Sequence, residues 1–166
     1  FPTTIDKFPE YAKASEHVDI NKEITIKANE IVKGKTDLFD AVHAIAEYVN
    51  LNMVYDENYV QEVMKASWIF DNKKGVCDEY SILFISLVRA LGIPSRYISG
   101  IAYSNIKKEF GAHAWAEVYF PDYGWIPFDP TYGQFGWLDA THVALYKSID
   151  TTNSVTYSFY AGTEFI

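Results

Sequence analysis

The stretch Gly75-Val76-Cys77-Asp78-Glu79-Tyr80-Ser81-Ile82-Leu83-Phe84-Ile85-Ser86-Leu87-Val88-Arg89-Ala90-Leu91-Gly92-Ile93-Pro94 decides the fold. It holds the only cysteine of the chain, at the head of a long apolar segment. Gly75 and the run Asn72-Lys73-Lys74 break any earlier structure, while Gly92 and Pro94 stand where a helix stop belongs. Between these limits Ile82, Leu83, Phe84, Ile85, Leu87, Val88, Ala90 and Leu91 cover most of a helical circumference, which predicts a helix buried on nearly all sides. A thiol at the N-terminus of such a helix faces aligned peptide dipoles that favour its anion. Asp78 and Glu79 occupy the same first turn, where carboxylates cap free N–H groups, and their charge opposes a thiolate.

Upstream of this helix the chain reads as helical. Residues 1–18 carry Pro2 and Pro9 without periodicity and are predicted to form an irregular entry arm. Asp19 or Asn21 can cap a helix to Val32, with Gly34 as its stop. Thr36 is the predicted cap of a second helix, in which Leu38, Phe39, Val42, Ile45, Ala46 and Val49 recur at spacings of three and four. Met53-Val54-Tyr55 reads as a short extended piece, and residues 56–74 as irregular, with Trp68-Ile69-Phe70 plugged into the core.

Downstream the period changes from helical to alternating. Strands are predicted at Arg96–Tyr103, Ala112–Tyr119, Trp125–Asp129, His142–Lys147 and Ser154–Tyr160, with Pro121-Asp122-Tyr123-Gly124 as turn chemistry. Helices first and strands later predict an α+β fold, with an antiparallel sheet rather than βαβ units. At 166 residues the chain suits one domain, read as 1–166 and cut from a longer chain because it begins at Phe1.

Composition narrows the function. A net charge of -8 without a basic cluster speaks against nucleic acid and anionic membrane surfaces as partners. One cysteine excludes an internal disulfide and multi-cysteine zinc sites. No apolar run is long enough to span a bilayer, so no direct membrane insertion is expected of this segment. The acidic, Tyr- and Thr-rich surface and the lone cysteine favour an extracytoplasmic or cell-surface location.

A cysteine nucleophile needs a base, and the base needs a partner that holds its ring. Of four histidines, His17 lies in the entry region, His43 reads as structural, and His142 starts a late strand and fits either role. His113 opens the alternating run His113-Ala114-Trp115-Ala116-Glu117-Val118, with small residues on the opposite face suited to close packing on a helix. If residues 120–124 close a hairpin, Tyr119 pairs with Trp125, Trp115 faces Asp129, and Asp129 shares a face with His113 in the diagonal position. A loop one residue shorter in register would reverse that face. Pro127 cannot donate to a ladder and points to an edge or bulge. Arg96 is expected to pair with Glu79 or Glu117.

Four blocks then carry a resemblance. They are Gly75-x-Cys77-x-Glu79-Tyr80, Leu91-Gly92-Ile93-Pro94-x-Arg96-Tyr97-Ile98-x-Gly100, His113-Ala114-Trp115-x-Glu117-Val118 and Trp125-x-x-Phe128-Asp129-Pro130-Thr131. In this order they resemble the transglutaminase-like superfamily. The resemblance implies a papain-like core with the Cys-bearing helix packed on the antiparallel sheet. It implies Cys77 as nucleophile, His113 as general base and acid, and Asp129 as orienting carboxylate. The Cys77 N–H is a natural oxyanion donor. The second donor is open among Tyr55, Trp68, Asn52 and Gln61, while Tyr132 and Trp137, in a Gly-rich loop, are candidates to line a substrate groove. Trp115 and Trp125 read as core.

The expected activity is acyl transfer through a Cys77 thioester on peptide or glutamine-type amides, with hydrolysis favoured over transamidation. Its partner is a protein or peptide substrate, with no cofactor. Metal binding by Cys77, His113 and Asp129 is chemically possible, but a Cys-His pair on a helix end and a strand fits nucleophilic catalysis better. The alternative is a non-catalytic binding or scaffold module of a larger surface protein.

Overall fold

A computed structural model describes residues 5–58 and 62–151, so the strand expected over 154–160 and the donor candidate Gln61 lie outside the described residues. The entry arm contains one 3-10 turn, Pro9–Ala12, whose flanking Phe8 packs on Tyr119 and Trp125. Helix α1, Lys22–Ile31, is capped by Asn21, whose Oδ1 accepts from the Ile24 N–H at 2.8 Å. Helix α2, Leu38–Asn52, starts one residue later than expected. Asp37, not Thr36, is the cap, accepting from the Phe39 and Asp40 N–H groups at 2.8 and 3.1 Å. A carboxylate there also answers the positive end of the helix dipole.

Strand β1, Val54–Tyr55, pairs in parallel with β2, Lys74–Gly75. Between them the run expected to be irregular holds a helix, α3, Ala66–Asn72. Two turns are too short to print a periodic signature, and Lys65 at its N-cap makes no side-chain cap. Ile69 alone of Trp68-Ile69-Phe70 is fully buried, its two neighbours packing against the core from the side.

Helix α4, Cys77–Arg89, is the centre of the molecule. Ile82, Leu83, Phe84, Ile85, Leu87 and Val88 have no exposed surface. One side of α4 meets α1, α2 and α3, and the other meets strands β3, Ser95–Ser104, and β4, Glu109–Phe120. Strands β5, Gly124–Asp129, β6, Gln134–Phe135, and β7, His142–Ser148, complete a five-stranded antiparallel sheet in the order β6-β5-β4-β3-β7. The fold is α+β, as the order of helices and strands predicts.

The register follows the hairpin reading. Tyr119 pairs with Trp125 and Ala116 with Phe128. Ala114, Ala116 and Val118 are buried in the main core, and their small volume lets α4 approach the sheet closely. Pro127 sits where β6 does not reach, since β5 pairs with β6 only at Phe128 and Asp129. Its missing N–H therefore costs no ladder bond.

Candidate active site

Cys77 is the first residue of α4, and the whole fold fixes its position, because the rest of that helix cannot move without opening the core. The Val76 N–H donates to Glu79 Oε2 at 2.9 Å, so Glu79 caps the helix as expected. Asp78 instead accepts from the Tyr97 hydroxyl on β3, which fastens the first turn to the sheet. The thiol meets β4 at the Ala114 N–H, a hydrogen-bond donor one residue beyond His113. Burial, then the charge of Asp78, push the Cys77 thiol up, and Asp129 and Glu79 add to that against the Ala114 bond. At neutral pH the resting group is a thiol.

His113 is buried and its ring is held on both sides. Tyr132 stacks on it with ring centres 4.5 Å apart, and Trp115 lies 6.0 Å away at 29°. Its Nε2 lies 2.7 Å from Asp129 Oδ2. That contact assigns Nδ1 as the nitrogen available to a neighbouring thiol. Asp129 closes β5, has no exposed surface, and also accepts from the Thr131 and Tyr132 N–H groups at 2.8 and 3.0 Å on Oδ1. Burial alone would raise its pKa, but bonds from His113 and His142 outweigh burial and hold it at about 2. Asp129 is therefore ionised, and each nitrogen that faces it carries a proton.

His142, open to either role in the sequence, belongs to this cluster. Its Nε2 is 3.0 Å from the same Asp129 Oδ2, and its Nδ1 is 3.0 Å from Asp139 Oδ1. Nothing near His142 in the sequence marks it, because β7 reaches the site only by crossing the sheet to pair with β3. His113, Asp129 and His142 offer three metal-ligand atoms within 4.8 Å of one another. The N···O separations of 2.7 and 3.0 Å are hydrogen-bond lengths, and protons on both rings account for the arrangement.

A groove of about 560 Å³ runs past His113, lined by Tyr55, Ala112, Thr131 and Tyr132 and by Glu57, Lys107 and Glu109 toward its mouth. Tyr55 is close enough to Cys77 to feel its charge, and burial first, then that charge, raise its hydroxyl to about 12. It is thus a neutral donor at physiological pH. The other described candidates do not line this groove. Trp68 packs on the core from α3, Asn52 is exposed and bonds back to the Tyr48 carbonyl, and Trp137 is 57% exposed outside the groove lining. Trp115 is core, 2% exposed, and Trp125 packs against the core beneath Arg96, which binds Glu117 at 2.7 Å. His43 packs edge-on against Phe135. A second cavity, of about 610 Å³, lies between residues 36–39 and 120–123 and contains neither Cys77 nor His113.

Residues 26–130 match the transglutaminase-like superfamily, which includes cysteine protease-like and transglutaminase-like enzymes. The chain belongs to that superfamily. It is 32% identical over 151 residues to the uncharacterized protein YebA of Bacillus subtilis, covering 76% of this chain and 19% of that one. It is 34% identical over 73 residues to a protein-glutamine gamma-glutamyltransferase of Pseudomonas aeruginosa, covering 39% of this chain and 11% of that one. The chain thus spans less than a fifth of either relative. Among solved structures, a candidate cysteine protease from Cytophaga hutchinsonii superposes with a TM-score of 0.74 at 25% identity, over 88% of this chain and 48% of that one. The periplasmic domain of TgpA from Pseudomonas aeruginosa shares the fold, with a TM-score of 0.59 at 24% identity over 79% of this chain and 49% of that one. No described helix is long and apolar enough to cross a membrane.

Proposed function

We propose that the chain is a cysteine-dependent acyl-transfer enzyme acting on peptide or glutamine-type amides, with Cys77, His113 and Asp129 as its catalytic residues. One observation carries the reading. The imidazole of His113 is bonded to a buried, ionised Asp129 at 2.7 Å, one residue from the N–H that contacts the only thiol. Membership of the superfamily supports it.

The resting thiol attacks only as it loses its proton, so His113 Nδ1 takes that proton while sulfur bonds to the amide carbon. Asp129 stabilises the imidazolium that forms. The oxyanion is held by the Cys77 N–H at the head of α4 and by the Tyr55 hydroxyl, which stays protonated at neutral pH. On collapse the C–N bond breaks, His113 returns its proton to the leaving nitrogen, and a thioester remains on Cys77. Water then releases an acid, or an amine forms a new amide. Hydrolysis is the outcome this proposal favours over transamidation. An extracytoplasmic site of action belongs to the same proposal, supported by the shared fold with a periplasmic domain.

The test is a glutamine-containing peptide incubated with and without a primary amine, followed by mass. Wild type is expected to give cleaved or deamidated product, and Cys77→Ala none. Full activity in Cys77→Ala would end the proposal. A non-catalytic module is the second reading, favoured by the raised thiol, and it predicts no turnover in either protein.

A further inference from the structure

His142 lies between two carboxylates. Its Nε2 faces Asp129 Oδ2 at 3.0 Å, its Nδ1 faces Asp139 Oδ1 at 3.0 Å, and its side chain is 1% exposed. Asp129 is held ionised by four donors. Asp139 is held well below the usual carboxylate range, first by the Thr141 hydroxyl and then by the Gln134 amide, so it too is an anion. The Thr141 hydroxyl donates to Asp139 and can only accept from the ring. Among the described residues, every polar atom within hydrogen-bond reach of the two nitrogens is an acceptor. A neutral imidazole has one lone pair, which here would point at a carboxylate oxygen.

We propose that His142 is a fixed imidazolium and a positioning residue for the His113–Asp129 pair. The inference rests on the proposed catalytic roles of those two residues. The cation does two things. It anchors Asp129 Oδ2 beside His113, with the two rings 5.5 Å apart, so the carboxylate is held at the ring it orients by a second bond. It also offsets the Asp129 charge, which otherwise adds to Asp78 and Glu79 in opposing a thiolate at Cys77. The titratable groups facing His142 are Asp129 from β5, His113 from β4, and Asp139 and Tyr132 from the loops around β6. Burial lowers the affinity of His142 for its second proton, but the bonds to Asp129 and Asp139 raise it above the usual value, in line with the geometry. Trp115, edge-on at 5.3 Å, and Tyr132 at 5.5 Å fix the ring plane.

The experiment has two arms. Long-range proton–nitrogen correlation of the histidine rings in the intact wild-type chain at pH 7.5 reads the charge directly. Two protonated nitrogens on His142 are expected, and a single one overturns the proposal. The second arm measures carbamidomethylation of Cys77 by iodoacetamide against pH in wild type, His142→Gln and Asp139→Asn. Gln keeps a donor toward Asp129 without the charge. Loss of the cation strengthens the hold of the site on its remaining protons, so the acid limb is expected to move up by about one pH unit, slowing alkylation on that limb about tenfold. Asp139→Asn removes one of the two anions that hold the second proton on His142 and is expected to move the limb the same way by less, with a denaturant melt at pH 7.5 confirming that the variant folds. Unshifted profiles in both variants overturn the positioning role. An alkylation rate in His113→Ala equal to wild type would sink the proposed function instead, while leaving the ring charge of His142 measurable.

Discussion

At Cys77 burial first, then the surrounding carboxylates, push the thiol up against the helix dipole. Three carboxylates, Asp78, Asp129 and Glu79, raise the thiol, on top of burial. In the proposed reaction the helix end positions the sulfur and supplies the N–H donor, and the proton passes to His113 during attack. Asp129 has the opposite shift, from an ordinary carboxylate value down to about 2. A depressed carboxylate stabilises the fold above its unfolded pKa and loses that contribution as pH falls through the folded one. We therefore expect about 2 kcal/mol of stability to be lost between about pH 4 and pH 2. Denaturant melts of wild type and Asp129→Asn across that interval check this, the variant lacking that part of the slope.

At the scale of elements, much of the arrangement is legible in the sequence because its periods are long. Fifteen residues of α2 and the alternation of β4 leave a clear pattern, and the Tyr119–Trp125 pairing follows once the hairpin over residues 120–124 is chosen over a shorter loop. Helix α3 is not legible, since seven residues give less than two turns of periodicity. His142 is not legible as a site residue either. Its contact with Asp129 depends on β7 joining the far edge of β3, a pairing no local pattern encodes. Trp68 and Trp137 were candidate site residues by type, and packing directs one to the core and the other to solvent. Gly100 shows how such a juncture is built. A Cβ there would lie 2.2 Å from the Val143 carbonyl oxygen and 2.7 Å from Trp115 Cη2. Both β7 and the indole beside His113 depend on its bare Cα. Gly100→Ala is expected to cost about 2 kcal/mol or more by overpacking, and to lower Cys77 alkylation because the Trp115 shift reaches the His113 ring. Thermal unfolding and alkylation rates measured on the same variant test both effects.

Across the whole molecule, Arg89 joins parts that are distant in sequence. It is 2% exposed and donates to the carbonyls of Ser95, Lys13 and Ile149. The entry arm, the start of β3 and the residue after β7 are thus tied at one guanidinium. Burial pulls its pKa down, to about 10, yet it stays charged at any physiological pH. Arg89→Met strands several buried carbonyls, each costing about 1–3 kcal/mol, and is expected to destabilise by about 3 kcal/mol or more. Arg89→Lys recovers only part of this, because one ammonium cannot span the fork. Urea midpoints of the two variants give the comparison. The tie lies at the opposite end of α4 from Cys77, so the helix is fixed at both ends, by Arg89 at one and by Asp78 and Glu79 at the other.

In the proposed reaction Cys77 acts as a nucleophile because His113 removes its proton. The rate of Cys77 carbamidomethylation in wild type and in His113→Ala, measured from pH 6 to 9 by intact mass, tests it most directly. With the thiol held protonated by burial and carboxylates, loss of the base is expected to slow alkylation about 100-fold near neutral pH. Equal rates in the two proteins would rule out His113 as the base and leave Cys77 as an ordinary packed thiol.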